Sequence, residues 1–250
     1  MLGFKAIGHG PTKIVLIHDW LGDHTTYAPA EPYIDQSRFT VILPDLRGYG
    51  LSRHLDGFSL DQAVGDLVAL VDALGIERFA VAGHSMSGMI ALKLALELSS
   101  RVTHVILSAP VSADGLTLDE GGRAFFEAVA RDQGACRDIV AAVTGGRYDA
   151  AWLDYKARRS RETSTEAARL GYFSNMLLGP GFADALPRLA MPVLVLTGAH
   201  DTDGFKEADL RGKLDGVLPS VQFETILEAG HYPMQEAPVR FASLLQAFVA

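Results

Sequence analysis

Residues 79–92 of the 250-residue chain read Phe79-Ala80-Val81-Ala82-Gly83-His84-Ser85-Met86-Ser87-Gly88-Met89-Ile90-Ala91-Leu92. The apolar run before Gly83 predicts a buried strand, and small residues at helical spacing after the turn predict a tightly packed helix. A hydroxyl at the apex of such a turn is typical of a nucleophile elbow, which needs small residues two positions before and after the nucleophile. Gly83 and Ser87 meet that need. We therefore predict Ser85 as the nucleophile and place Ser87, the competing hydroxyl, in the first helical turn.

A serine nucleophile needs a base to take its proton and a carboxylate to orient that base. Two later strand-like runs end in loops that carry these residue types, Gly198-Ala199-His200-Asp201 and Glu228-Ala229-Gly230-His231-Tyr232-Pro233. We predict His231 as the base and Asp201 as the acid. Asp203 and Asp114 stay open as alternative acids.

These segments resemble the α/β-hydrolase superfamily, in which nucleophile, acid and histidine follow one another in this chain order. The resemblance covers nearly the whole chain and rests on four motifs: Gly83-His84-Ser85-Met86, Gly198-x-x-Asp201, Gly230-His231-x-Pro233 and Asp45-Leu46-Arg47-Gly48-Tyr49-Gly50-Leu51-Ser52. It implies an α/β hydrolase fold with a mostly parallel, doubly wound sheet. It also implies that the loop carrying Asp45 and Arg47 is a structural brace.

The resemblance places an oxyanion hole at the backbone N–H groups of Trp20 and Met86. The loop His18-Asp19-Trp20-Leu21, which we call the oxyanion loop, has Asp19 where the family usually has glycine. Aspartate enters the left-handed backbone region less readily than glycine, so this substitution bears on the geometry of the loop. His18 is predicted to brace the loop.

Strand-like and helix-like runs alternate from Lys13 to Ala109, as a doubly wound sheet requires, with a further helix, interrupted near Pro29 and Pro32, predicted within 25–36. Residues 112–189 contain no strand-like run, and helices are predicted near 123–130, 139–143 and 167–173, with a break at Gly134. A closing helix is predicted over 235–249.

We therefore divide the chain into an α/β core, residues 1–112 and 190–250, and a helical cap insertion, residues 113–189. Open α/β sheets bind ligands at the carboxyl ends of their strands, so we expect the cap to shape a substrate cavity there. Three of its aromatic residues are predicted to contact substrate: Phe125, Trp152 and Tyr172.

The composition of the chain argues against several kinds of partner and site. The net charge is −8 and no basic stripe is present, so neither nucleic acid nor a membrane is an expected partner. Cys136 is the single cysteine, which excludes an intrachain disulfide. No histidine pair has metal-ligand spacing, and we expect no metal and no cofactor. The N-terminus lacks a signal-peptide pattern, so a cytoplasmic location is expected.

The residues together predict an esterase, a serine hydrolase that cleaves a carboxylic ester of a small, largely apolar substrate through an acyl-enzyme. The same triad also serves hydrolases that cleave carbon–carbon bonds. Two further classes in the resembled superfamily stay open: cofactor-free dioxygenases, which use the histidine–acid pair, and small-molecule receptors that keep the triad. Ser85 argues against the epoxide-opening and halide-displacing members, which carry a carboxylate at the elbow.

Overall fold

Seven strands form one sheet in the order β1-β3-β2-β4-β5-β6-β7, and only β1 runs antiparallel to its neighbour. The computed structural model describes residues 1–250. The strands are β1 (Phe4–Gly8), β2 (Thr12–Ile17), β3 (Phe39–Pro44), β4 (Phe79–His84), β5 (Val102–Ser108), β6 (Val193–Gly198) and β7 (Val221–Ile226). The predicted mostly parallel sheet is confirmed.

Nine α-helices flank this sheet. They are α1 (Leu60–Ala73), α2 (Ser87–Glu97), α3 (Glu120–Arg131), α4 (Gln133–Val143), α5 (Ala150–Thr163), α6 (Glu166–Tyr172), α7 (Glu207–Leu214), α8 (Pro233–Glu236) and α9 (Pro238–Phe248). Helices α3 to α6 follow one another between β5 and β6, so the segment 113–189 is helical, as predicted. None of the helices is both long enough and apolar enough to span a bilayer.

Side-chain caps define the helices of the segment 113–189. Asp119, Asp132 and Asp149 accept hydrogen bonds from the third backbone N–H of α3, α4 and α5, at 2.7, 2.8 and 3.1 Å. The sequence analysis missed α5 because few of its residues are apolar, although the cap at Asp149 marks its start. The predicted break at Gly134 is wrong: Gly134 lies inside α4, and the chain turns at the extended residue Asp132.

Prolines explain two further corrections. The helix predicted over 25–36 is absent, and the chain forms two short 3₁₀ turns, His24–Tyr27 and Glu31–Tyr33. Pro29 and Pro32 lack the N–H that an α-helix would need there. The closing helix predicted over 235–249 is divided into α8 and α9, because Ala237 is not helical and Pro238 begins a new helix.

The turn between β4 and α2 brings backbone atoms unusually close together. A Cβ atom at Gly83 would lie 2.0 Å from the carbonyl oxygen of Ser87, so no other residue fits without movement of the helix. Ser85, at the apex, has a φ of 54°, which places a residue other than glycine in the left-handed region. The predicted sharp, strained turn is therefore present.

Gly83→Ala tests how tightly this turn is packed. Overpacking against a backbone atom should lower the free energy of unfolding by about 2 kcal/mol or more. Gly65 is the matched control, because it is exposed in α1 and a methyl group added there would meet no atom within 4 Å. Gly65→Ala should raise the free energy of unfolding by about 0.5–1 kcal/mol. Urea denaturation measures both, and equal effects at the two positions would contradict the proposed close approach.

Candidate active site

Three predicted residues form one hydrogen-bonded chain at the carboxyl ends of the strands. Ser85 directly follows β4, and its Oγ lies 2.9 Å from His231 Nε2. His231 Nδ1 in turn lies 2.7 Å from Asp201 Oδ2. The carboxylate can only accept, so Nδ1–H donates to Asp201 and Nε2 is left to accept the proton of Ser85. The structure therefore brings together the three residues that the sequence analysis selected.

The surroundings of His231 favour its charged form. Burial opposes the imidazolium, but the adjacent carboxylate of Asp201 outweighs it, so the pKa of His231 is raised above its ordinary value of 6.5. Asp19 and Glu236 act in the same direction from greater distance. The Asp201 carboxylate is itself held by the Thr202 N–H, at 2.7 Å.

The alternative residues do not join this chain of hydrogen bonds, although Asp203 lines the same cavity as Ser85. The Asp203 side chain is 93% exposed and pairs with Lys206 at 2.8 Å. Asp114 is exposed on the loop after β5. Ser87 is fully buried, and its hydroxyl donates to the carbonyl oxygen of His18. None of the three contacts His231.

The oxyanion loop lies beside Ser85. The backbone N–H groups of Trp20 and Met86 donate no hydrogen bond within the protein, and both residues line the same cavity as Ser85. The Trp20 carbonyl accepts from the Tyr49 hydroxyl at 2.8 Å, and the Trp20 indole donates to the carbonyl of Arg169 at 2.8 Å. His18 braces the loop as predicted, since its Nε2 accepts from the Leu46 N–H at 3.0 Å.

Asp19 occupies the usual glycine position without backbone strain, because it is not among the residues with positive φ. Its buried carboxylate accepts from the Leu21 N–H and the Thr26 hydroxyl, each at 3.2 Å. His84 lies near this carboxylate, with its Nδ1 3.7 Å from Asp19 Oδ1. The Nε2–H of His84 donates to the backbone carbonyl of His231 at 2.7 Å. Asp19 is thus part of the support around the site.

A cavity of about 370 Å³ opens over Ser85. Its floor is the carboxyl edge of the sheet, and the segment 113–189 supplies nine of its 24 lining residues, among them Leu116, Leu118, Phe125, Phe126, Ile139 and Val143. Of the three aromatic residues predicted to contact substrate, only Phe125 lines this cavity.

Trp152 and Tyr172 are placed away from the cavity. Trp152 packs on Tyr148, with ring centroids 4.6 Å apart. Tyr172 is fully buried between Tyr49 and Phe58. Their apolar surface packs against other elements of the fold. The spacing of aromatic residues along a helix does not show whether they pack in this way or line a cavity. Phe126, next to Phe125 on α3, also lines the cavity, and so does Phe205, which the sequence analysis did not select.

One group of potential metal ligands exists, formed by Asp23, His24 and Asp45, whose ligand atoms lie within 4.8 Å of one another. Asp45 is fully buried and accepts from the N–H and Nδ1 of His24, at 2.7 and 2.8 Å, and from the N–H of Leu51 at 2.8 Å. These bonds join two loops. The group therefore forms the structural brace predicted for Asp45.

Comparison with known proteins agrees with this geometry. The sequence model of the α/β hydrolase fold family matches residues 13–238. The chain is 28% identical over 240 residues to 3-oxoadipate enol-lactonase 1 of Acinetobacter baylyi, covering 91% of this chain and 84% of that protein. It is 27% identical over 259 residues to the pimeloyl-[acyl-carrier protein] methyl ester esterase of Nitrosomonas europaea, covering 97% of each.

Among solved structures, a thermophilic esterase from Thermogutta terrifontis superposes with a TM-score of 0.82 at 25% identity, covering 99% of this chain and 92% of that one. Because the family model spans most of the chain, the protein belongs to the α/β hydrolase fold family of enzymes.

Proposed function

We propose that the protein is a serine hydrolase that cleaves a carboxylic ester through an acyl-enzyme. The observation that carries the proposal is the chain of hydrogen bonds from Ser85 through His231 to Asp201, at 2.9 and 2.7 Å. These distances suit proton transfer from the serine to the imidazole as the hydroxyl attacks a carbonyl.

In the proposed first half-reaction, His231 Nε2 takes the proton of Ser85 while Oγ bonds to the ester carbonyl carbon. Asp201 holds the imidazole in the tautomer that leaves Nε2 free and stabilises the imidazolium that forms. The imidazolium then gives its proton to the departing alkoxide, leaving the acyl group on Ser85. Water, deprotonated by His231, attacks this acyl group, and the acid and free Ser85 are released.

The negative oxygen of each tetrahedral intermediate needs fixed donors. The N–H groups of Trp20 and Met86 are free within the protein and belong to residues lining the cavity, so we assign the oxyanion hole to them. Met86 follows the nucleophile directly. Trp20 is held through both its carbonyl and its indole, which favours a fixed position for its N–H.

The substrate we propose is small and largely apolar. The cavity holds about 370 Å³, and 14 of its 24 lining residues are hydrophobic. The names of two relatives, an enol-lactonase and a methyl ester esterase, indicate open-chain and cyclic esters as the bonds to test first. A panel of p-nitrophenyl esters and lactones, graded by acyl length, tests this. Turnover of many equivalents distinguishes an enzyme from a receptor, and hydrolysis of a diketone to a carboxylic acid and a ketone, measured separately, would indicate carbon–carbon cleavage.

Ser85→Ala should abolish ester hydrolysis while leaving the fold intact. The expected loss in turnover is about 10⁴- to 10⁶-fold, because the triad acts as a unit. Labelling with a fluorophosphonate should disappear in this variant. Ser87→Ala is the comparison, since its hydroxyl contacts only the oxyanion loop, and it should still be labelled. Labelling that survives Ser85→Ala would move the nucleophile elsewhere.

Asp201→Asn should lower turnover of an activated ester at neutral pH by at least about 10³-fold, since an amide no longer fixes the histidine tautomer. Asp203→Asn and Asp114→Asn should each lose less than about tenfold, because neither carboxylate contacts His231. All three are measured on one substrate. A large loss at Asp114 with Asp201 unaffected would refute the assignment of the acid.

The pH dependence follows from the raised pKa of His231. The base works only when neutral, so kcat/KM should fall as the pH decreases through this pKa, with a midpoint above 6.5. Removing the negative charge of Asp201 removes the main stabilisation of the imidazolium. The residual activity of Asp201→Asn should therefore show a midpoint at lower pH than the wild type. A midpoint that stays constant or rises would contradict this origin of the shift.

A further inference from the structure

Glu236, in α8, has a side chain with no exposed surface and is not part of the proposed chemistry. Its Oε2 accepts from the N–H of Gly230 at 2.8 Å, and its Oε1 accepts from the N–H of Tyr232 at 2.8 Å. These two amides flank His231. One buried carboxylate thus holds the backbone on both sides of the proposed base.

Arg147 supplies the positive charge that this carboxylate needs. Its guanidinium pairs with Glu236 Oε2 and also donates to the carbonyl oxygens of Thr144 and Glu228, each at 3.0 Å. A second donor is the Tyr148 hydroxyl, 3.3 Å from Oε2. A buried carboxylate without such partners would be strongly destabilising. Arg147 and Tyr148 belong to the segment 113–189, on the turn between α4 and α5.

The segment 113–189 also binds the amide between these two, in the histidine loop, which we define as residues 228–233. The His231 N–H donates to the carbonyl of Val143, the last residue of α4, at 2.9 Å. Three consecutive amides, those of Gly230, His231 and Tyr232, are therefore held by Glu236 and by residues 143–147. The core holds two of these amides through Glu236, and the segment 113–189 holds the third through Val143.

We propose that Arg147 and Glu236 are positioning residues that join the turn between α4 and α5 to the histidine loop and so set the distance between His231 and Ser85. The proposal rests on the proposed function, because it concerns the base of that reaction. Neither residue lines the cavity, so both act through the backbone of His231 and not on substrate. The segment 113–189, which supplies nine of the 24 residues lining the cavity, thereby also helps to hold the base.

The test compares two arginines of this segment. Arg147→Met removes the contact with Glu236, and Arg137→Met is the matched control, because Arg137 pairs with Asp154 between α4 and α5 at 2.8 Å without contacting the histidine loop. Fluorophosphonate labelling of the wild type at Ser85 and its ester turnover are established first. If the wild type fails there, the proposed function is refuted, independently of the positioning role.

With an active wild type, Arg147→Met should lower kcat about 10- to 100-fold on a short activated ester and leave KM within about threefold, as expected when a reacting group is misplaced. Arg137→Met should keep the wild-type kcat. Arg147→Lys, which keeps the charge but not the planar fork, should recover part of the loss. The double variant with Glu236→Gln should lose no more than the larger single loss, because the two residues act through one contact.

A direct measurement separates positioning from general destabilisation. The downfield NMR resonance of the proton between His231 and Asp201 should shift or broaden in Arg147→Lys and stay unchanged in Arg137→Met. Equal kcat losses in Arg147→Met and Arg137→Met would overturn the proposal. If Arg147→Met does not fold, Arg147→Lys decides: a lowered kcat with an altered resonance supports the proposal, and a wild-type kcat with an unchanged resonance overturns it.

Discussion

The left-handed backbone of Ser85 is the constraint on which the site depends. For a residue other than glycine this conformation costs about 1–2 kcal/mol, and it persists only where neighbouring structure fixes it. Here the Ser85 N–H donates to the carbonyl oxygen of Ser108 at 3.0 Å, and the Ser85 carbonyl accepts from the Val111 N–H at 2.9 Å. The strand β5 and the loop after it thus hold the turn from one side. The absence of a side chain at Gly83 lets α2 approach from the other.

Much of this arrangement could be predicted from the sequence, because strands and the turn depend on local patterns. The alternation of apolar runs from Lys13 to Ala109 predicted the mostly parallel sheet, and the order of Ser85, Asp201 and His231 selected the residues that the structure brings together. The wall of the cavity could not be predicted in the same way. Phe125 and Tyr172 are both aromatic residues on helices, yet one faces the cavity and the other is packed against Tyr49 and Phe58. Which of the two positions an aromatic residue takes depends on how its helix packs against the rest of the fold.

One of the contacts between the segment 113–189 and the core lies at the oxyanion loop. The Trp20 ring stacks on Phe126 at 5.7 Å between centroids, and Phe126 stacks on Phe173 at 5.4 Å. Because Trp20 also carries a proposed oxyanion donor, the aromatic stack links the cavity wall to the reacting centre. Sequence reasoning missed this link, since Trp20 and Phe126 are 106 positions apart in the chain.

Asp19 shows that the oxyanion loop holds a side chain in an ordinary backbone conformation. The backbone there lies outside the left-handed region, so the conformation does not demand glycine. The buried carboxylate accepts from the Leu21 N–H and the Thr26 hydroxyl, which fixes a negative charge within the loop that carries the proposed oxyanion donor Trp20. The electric field at the proposed oxyanion hole therefore depends on this side chain as well as on the two amides, and a substitution that removes its charge would change that field while the elbow at Ser85 stays as it is.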